Sequence, residues 1–171
     1  HSGDADRAAQ IAGAFMAGIR HAAAYRDVPG LRTEHFWDLK ERWGMGLKVL
    51  LVNGSPHKEG CTYTALCEVA DTLNKKNIET EIFWIGNKPI GGCIACLKCR
   101  EKGACVFDDA VNRFREKAYD ADGFVFGSPV HYGAASGNMT AFMDRLFYSE
   151  LGGNGNKAFY MKPAAAVISA R

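Results

Sequence analysis

No apolar run in this chain approaches the roughly 20 residues that cross a bilayer, so no membrane-spanning helix is expected. The opening residues, His1-Ser2-Gly3-Asp4, lack the basic and apolar blocks of a secretory signal, and the expected location is the cytoplasm. Charge of either sign is close to balanced. A formal net charge of +2 over 171 residues gives no basic surface for nucleic acid and no polybasic membrane patch. The chain also has no GxGxxG and no lysine-serine loop ending, which removes the dinucleotide and nucleoside-triphosphate signatures. What remains is an ordinary globular balance, 47% hydrophobic and 23% charged, in a length that suits one α/β domain.

Two parts differ in character. In residues 1–46 an alanine-rich stretch places Ile11, Phe15, Ile19 and Ala22 at helical spacing, stopped by Pro29-Gly30. It carries no recognisable chemistry and is expected to be a helical extension for packing or oligomerisation. From Leu47 to Arg171 the pattern becomes strand, loop, helix, repeated. Leu47 to Val52 is nearly continuously apolar, as a parallel strand covered on both faces requires. A helix follows from about Thr62 to Lys76, with Leu66, Val69, Ala70 and Leu73 on one face. Ile78–Ile85, Gly123–Gly127 and Ala164–Ser169 read as further strands, and residues 136–148 as a helix. A helix capped by Asp108 or Asp109 carries Val111, Phe114 and Ala118.

Strands alternating with helices imply right-handed crossovers and a three-layer, doubly wound parallel sheet. A five-stranded sheet of this kind needs one more helix and strand after Ser169. The domain is therefore expected to lack its last strand and helix, or to cover that flank with the N-terminal extension. In such sheets ligands bind beyond the carboxyl ends of the strands, so the loops after each strand are the places to look for chemistry.

After the first strand, Asn53-Gly54-Ser55-Pro56-His57-Lys58-Glu59-Gly60-Cys61-Thr62 leads into a helix. Such a loop offers backbone N–H groups, the hydroxyls of Ser55 and Thr62 and the positive end of a helix to one anion, a phosphomonoester by preference. After the third strand, Gly127-Ser128-Pro129-Val130-His131-Tyr132-Gly133 offers Tyr132 as an aromatic wall and backbone donors for a flat heterocycle.

Of the six cysteines, Cys93, Cys96, Cys99 and Cys105 crowd into one stretch. Disulfide frameworks spread their cysteines across small secreted chains, and this spacing points to metal or redox work instead. Four thiolates suit an iron–sulfur cluster or, less readily, a structural zinc, and free thiols or an oxidised pair stand between the two. Cys61 begins a helix and Cys67 reads as buried filler.

The loop motifs resemble those of the NADPH-dependent FMN reductases in the flavodoxin-like superfamily. Asn-Gly-Ser-Pro followed by Gly-x-Thr is similar to that family's phosphate loop, with His57 where arginine and Cys61 where asparagine is more usual. The resemblance implies FMN phosphate contacts from Ser55, His57, Cys61, Thr62 and Tyr63. Gly-Ser-Pro-Val-x-Tyr, then Ser136-Gly137-Asn138-Met139 and Phe142-Met143-Asp144-Arg145, is similar to the stretch that holds the isoalloxazine. This assigns Ser128, Pro129, Val130, His131, Tyr132 and Gly133 to the ring, with Ser169 at the border of the site.

The cysteine spacing resembles the compact motif of iron-sulfur flavoproteins, in which four cysteines hold a [4Fe-4S] cluster beside FMN. The implied activity is electron transfer from NAD(P)H through FMN to a quinone, a nitro or azo compound, free flavin or an iron–sulfur centre. No side chain need act as a catalytic base, because the flavin carries the chemistry. Alternatives are an electron carrier between protein partners and a domain that has lost its flavin. A homo-oligomer is expected from the resemblance alone.

Overall fold

The computed structural model describes residues 46–170. The helix expected within residues 1–46 falls almost wholly outside them. The elements run β1 (Leu47–Asn53), α1 (Cys61–Asn74), β2 (Ile78–Trp84), α2 (Cys99–Lys102), α3 (Ala110–Ala118), β3 (Gly123–His131), β4 (Ala134–Ala135), α4 (Gly137–Asn154) and β5 (Ala164–Ser169).

Four parallel strands lie in the order β2-β1-β3-β5, and β4 adds a short antiparallel pairing to the end of β3. Because β1 is central, it must bury side chains on both faces. Leu47, Val49 and Leu51 pack with Leu66, Val69 and Leu73 of α1 on one side. Leu50 and Val52 pack on the other with Val111, Phe114, Phe142 and Leu146 of α3 and α4. The period-two alternation of a strand thus divides one apolar run between two cores. Lys48 is the exception, and its ammonium reaches Glu79 at 3.3 Å and Glu81 at 3.2 Å. Among the described residues no helix is long and apolar enough to cross a membrane.

The chain leaves β1 for β2 in one direction and returns past β1 to β3 in the other. The switch point therefore lies between the carboxyl ends of β1 and β3, where the register pairs Asn53 with Gly127.

Three expectations are corrected. β3 does not end at Ser128-Pro129 but continues to His131, because β5 pairs with it as far as Pro129 opposite Ser169 and β4 pairs with Val130 and His131. Val130 and His131 are therefore strand residues, and the turn shrinks to Tyr132 and Gly133. Both have positive φ, 54° and 84°, as a two-residue hairpin of the I′ kind demands. Lastly, α4 does not end near Tyr148 but runs through Gly152 and Gly153 to Asn154.

Candidate functional site

The phosphate-type loop is built around Asn53. Its side-chain oxygen accepts from Ser55 N at 3.0 Å, and its amide donates to Lys58 O at 3.0 Å, closing a turn at the end of β1. Ser55 Oγ then accepts from His57 N, and Trp84 at the end of β2 donates its indole N–H to Ser55 O at 2.8 Å. Gly60 occupies the N-cap of α1 in extended conformation and brings no side-chain cap. The first N–H groups of α1 thus meet the loop without an acceptor from a capping side chain, which is the condition for anion binding.

The second loop meets the first at this same edge. Gly54 N donates to Gly127 O at 2.8 Å. Ser136, the N-cap of α4, donates through Oγ to Gly54 O at 2.9 Å, accepts from Met139 N, and donates its own N–H to Ser128 Oγ at 3.0 Å. A Cβ at Gly54 would crowd Gly127 O and Met139, so this glycine is needed for the approach, while one at Gly127 would press on the Leu66 side chain of α1. From β5, the Ser169 hydroxyl reaches that of Thr62 at 2.7 Å.

Ser55, Thr62, Ser128 and Ser169 therefore converge at the carboxyl ends of β1, β3 and β5, with Pro129 and Val130 half-buried beside them. His57 and Cys61 are exposed on the rim. Tyr63 is half-buried, and its phenol is held above its ordinary pKa chiefly by hydrogen bonding with Cys67. His131, Tyr132 and Gly133 stand at the outer tip, and the Tyr132 ring is fully in solvent. Asn53, Trp84 and Ser136 were not singled out in sequence for the contacts they make here. The asparagine at a strand end before glycine was the available signal.

The cysteine segment lies against α4. Asn138, two residues past Ser136, receives Ile90 N at 3.1 Å and donates to Lys88 O at 3.0 Å. Beyond this clasp, Cys93, Cys96, Cys99 and Cys105 line one pocket with Ile94, Leu97, Phe107, Arg145 and Tyr148. All four are free thiols, with Cys99 buried and Cys93 and Cys96 exposed. The left-handed bends fall on Ala95 and Leu97, φ 52° and 58°, and on Gly103, whereas Gly91 and Gly92 do not adopt positive φ. Two non-glycine residues in this region cost about 1–2 kcal/mol each, a strain placed between and just after Cys93 and Cys96. Among the described residues no three His, Cys, Asp or Glu side chains converge to hold a single metal ion. The donor set is four sulfurs around a pocket, which fits the one-thiolate-per-iron demand of a cubane cluster.

Arg145, which the sequence offers only as the end of the ring-binding stretch, serves the cysteine segment instead. It is 2% exposed and forks onto Asp109 at 2.6 and 3.0 Å. It also donates to Cys105 Sγ at 3.2 Å and Gly91 O at 3.3 Å, and its guanidinium lies 4.8 Å from the Phe107 ring centre. Burial opposes its charge, but Asp109 and Cys105 outweigh that and hold its pKa above the ordinary value. Asp109 caps α3 as the sequence implies, accepting from Val111 N. Asn112 clamps Cys105 through both N and O, at 3.1 and 2.9 Å.

A parallel sheet in this order, with the loop after β1 meeting the end of β3 at the switch point, defines a flavodoxin-like domain. Residues 47–171 match the model of the NADPH-dependent FMN reductases, and the chain belongs to that family. It is 36% identical over 99 residues to an iron-sulfur flavoprotein of Methanocaldococcus jannaschii, covering 58% of this chain and 51% of that one. With an iron-sulfur flavoprotein of Archaeoglobus fulgidus it shares 32% identity over 106 residues, 62% of this chain and 52% of the relative. The chain thus spans about half the length of the relatives it matches. The crystal structure of RosB with bound 8-demethyl-8-formylriboflavin-5'-phosphate superposes with a TM-score of 0.57 at 19% identity, covering 74% of this chain and 53% of RosB, a likeness of fold.

Proposed function

We propose that this domain binds FMN at the carboxyl ends of β1, β3 and β5, draws electrons from NAD(P)H, and passes them to an acceptor by way of a [4Fe-4S] cluster on Cys93, Cys96, Cys99 and Cys105. The observation that carries the reading is the meeting of the two loops through Gly54, Gly127 and Ser136 at one sheet edge. The N–H groups at the start of α1 would take the phosphate, with the hydroxyls of Ser55 and Thr62 beside them and His57 and Cys61 at the rim. Tyr63 adds its backbone N–H. The ring would lie along Ser128 to Gly133, with Tyr132 as its wall and Ser169 at its border. Bound FMN supplies two-electron chemistry with a nicotinamide and one-electron chemistry with a cluster. The protein's part is to hold the phosphate, exclude water from the ring and fix the separation of the two sites.

Membership of the reductase family and the names of the relatives support this assignment, and a four-thiolate cluster site suits a reducing compartment such as the cytoplasm. Acceptors of the fitting class are quinones, nitro or azo compounds, free flavin and iron–sulfur centres. The thiol-lined pocket also favours a second reading, a carrier that exchanges electrons between proteins without turning over a small substrate.

Anaerobic purification followed by a visible spectrum tests both. Flavin bands that bleach with NADPH or NADH support the reductase, and bleaching by dithionite or a protein donor alone supports the carrier. A protein that takes up no FMN ends both readings.

A further inference from the structure

We infer that the buried guanidinium of Arg145 and the half-buried carboxylate of Asp109 form a charge pair that sets the reduction potential of the cluster through Cys105, Arg145 raising it and Asp109 lowering it. The inference rests on the cluster reading above and extends it to two residues that ligate nothing. Cys105 differs from the other three cysteines in how it is held. Its backbone is clamped on both sides by Asn112, and its sulfur receives the Arg145 Nε–H at 3.2 Å. Among the described residues it is the one of the four whose sulfur accepts a hydrogen bond from a cation. Arg145 has no freedom to turn elsewhere, because its fork is fixed by both oxygens of Asp109, its plane lies over Phe107 and Nη1 also meets Gly91 O. Asp109 is fixed in turn as the cap of α3.

Reduction adds one negative charge to a cluster and its thiolates. A buried cation donating to a ligand sulfur stabilises that charge, and hydrogen bonds to the sulfurs and local net charge are established levers on cluster potential. Arg145 thus favours the reduced form. The Asp109 carboxylate, close behind the guanidinium, offsets part of the effect. The two residues therefore push in opposite directions while belonging to one hydrogen-bonded unit. This separates electrostatic tuning from support of the loop, since loosening the loop would shift both variants alike.

The test is a potentiometric titration of the anaerobically reconstituted 171-residue chain, with iron and sulfide assayed and the reduced cluster followed by electron paramagnetic resonance. Arg145→Gln is expected to shift the equilibrium at least tenfold toward the oxidised form, about 59 mV downward for one electron. Arg145→Lys, which keeps the charge without the fork, is expected to fall between that variant and the wild type. Asp109→Asn, which keeps a capping oxygen, is expected to move the potential upward. A loaded wild type with Arg145→Gln at an unchanged or higher potential overturns the inference alone, as does a downward shift in Asp109→Asn. Should Arg145→Gln not fold, Arg145→Lys and Asp109→Asn still decide, because opposite shifts are required of them. A wild type that takes up no iron and sulfide sinks the cluster reading and this inference together, and is told apart by the iron assay.

Discussion

Gly153→Ala sets two effects of known size against each other. Glycine within a helix is about 1 kcal/mol less favourable than alanine, so propensity alone makes the substitution stabilising. The packing opposes it. A Cβ at position 153 would lie 2.5 Å from Cys99 O and 2.6 Å from Gly103 Cα, both backbone atoms that no rotamer change can withdraw. Restoring a contact of about 3.5 Å requires α4 to retreat from α2 by roughly an ångström. Such overpacking costs about 1–3 kcal/mol, and the net expectation is a loss of about 1 kcal/mol or more.

The neighbour provides the control. At Gly152 the added carbon meets Cys99 Sγ at 3.6 Å and Arg100 Cγ at 3.7 Å, ordinary contacts, so Gly152→Ala should gain up to about 1 kcal/mol. Urea unfolding followed by far-ultraviolet circular dichroism, with slopes unchanged, should separate the two midpoints by roughly 1 M. Equal midpoints, or a more stable Gly153→Ala, would refute the claim that this glycine exists for backbone contact. Because the displaced partners are Cys99 and Gly103, Gly153→Ala should also bind less iron than Gly152→Ala.

Other expectations are simpler. Ser136→Ala removes the cap of α4 and the bond to Gly54 O, and should destabilise by about 1–2 kcal/mol in the same assay and weaken FMN binding; unchanged affinity would separate the loops' contact from the site. Tyr132→Ala should leave stability unaltered, because the ring touches nothing in the protein, while flavin affinity measured by fluorescence quenching falls; an unaffected affinity removes Tyr132 from the site. Glu81 contacts Lys117 at 2.8 Å and Lys48 at 3.2 Å, and its pKa is lowered chiefly by Lys117. A lowered carboxylate contributes stability above its unfolded pKa and loses it as pH falls through the folded value. Glu81→Gln should therefore cost up to about 1 kcal/mol at pH 7, with the difference from wild type shrinking below the ordinary carboxylate range. A difference constant from pH 7 to pH 3 would contradict this.

The strands and the two loops were legible because each is a local pattern. An apolar run such as Leu47–Val52 states its own burial, and Asn53-Gly54 or Tyr132-Gly133 states a turn through its chemistry. The end of β3 was misread because proline ordinarily closes a strand, whereas here β5 pairs with Ser128 and Pro129 and β4 carries the ladder on to His131. The length of α4 was misread as well, because α2 lying against Gly152-Gly153 is a tertiary contact. Arg145 was hidden most completely. An arginine next to Asp144 on a helix reads as part of a surface ion pair or as simple packing, and only a partner 36 residues away in sequence, Asp109, makes its burial tolerable. Tertiary partners of that kind leave no trace in a single sequence.

The position of α4 has a mechanical consequence. Ser136 fastens its first turn to the β1 and β3 loops, and Arg145 fastens its third to the cysteine segment. At 1.5 Å per residue, the eight steps from Gly137 to Arg145 amount to about 12 Å. That interval is ruled by a continuous ladder of main-chain bonds and not by the loops at either end. Thermal wandering of those loops changes what each holds far more than it changes the gap between them. The helix is the spacer bar of the molecule.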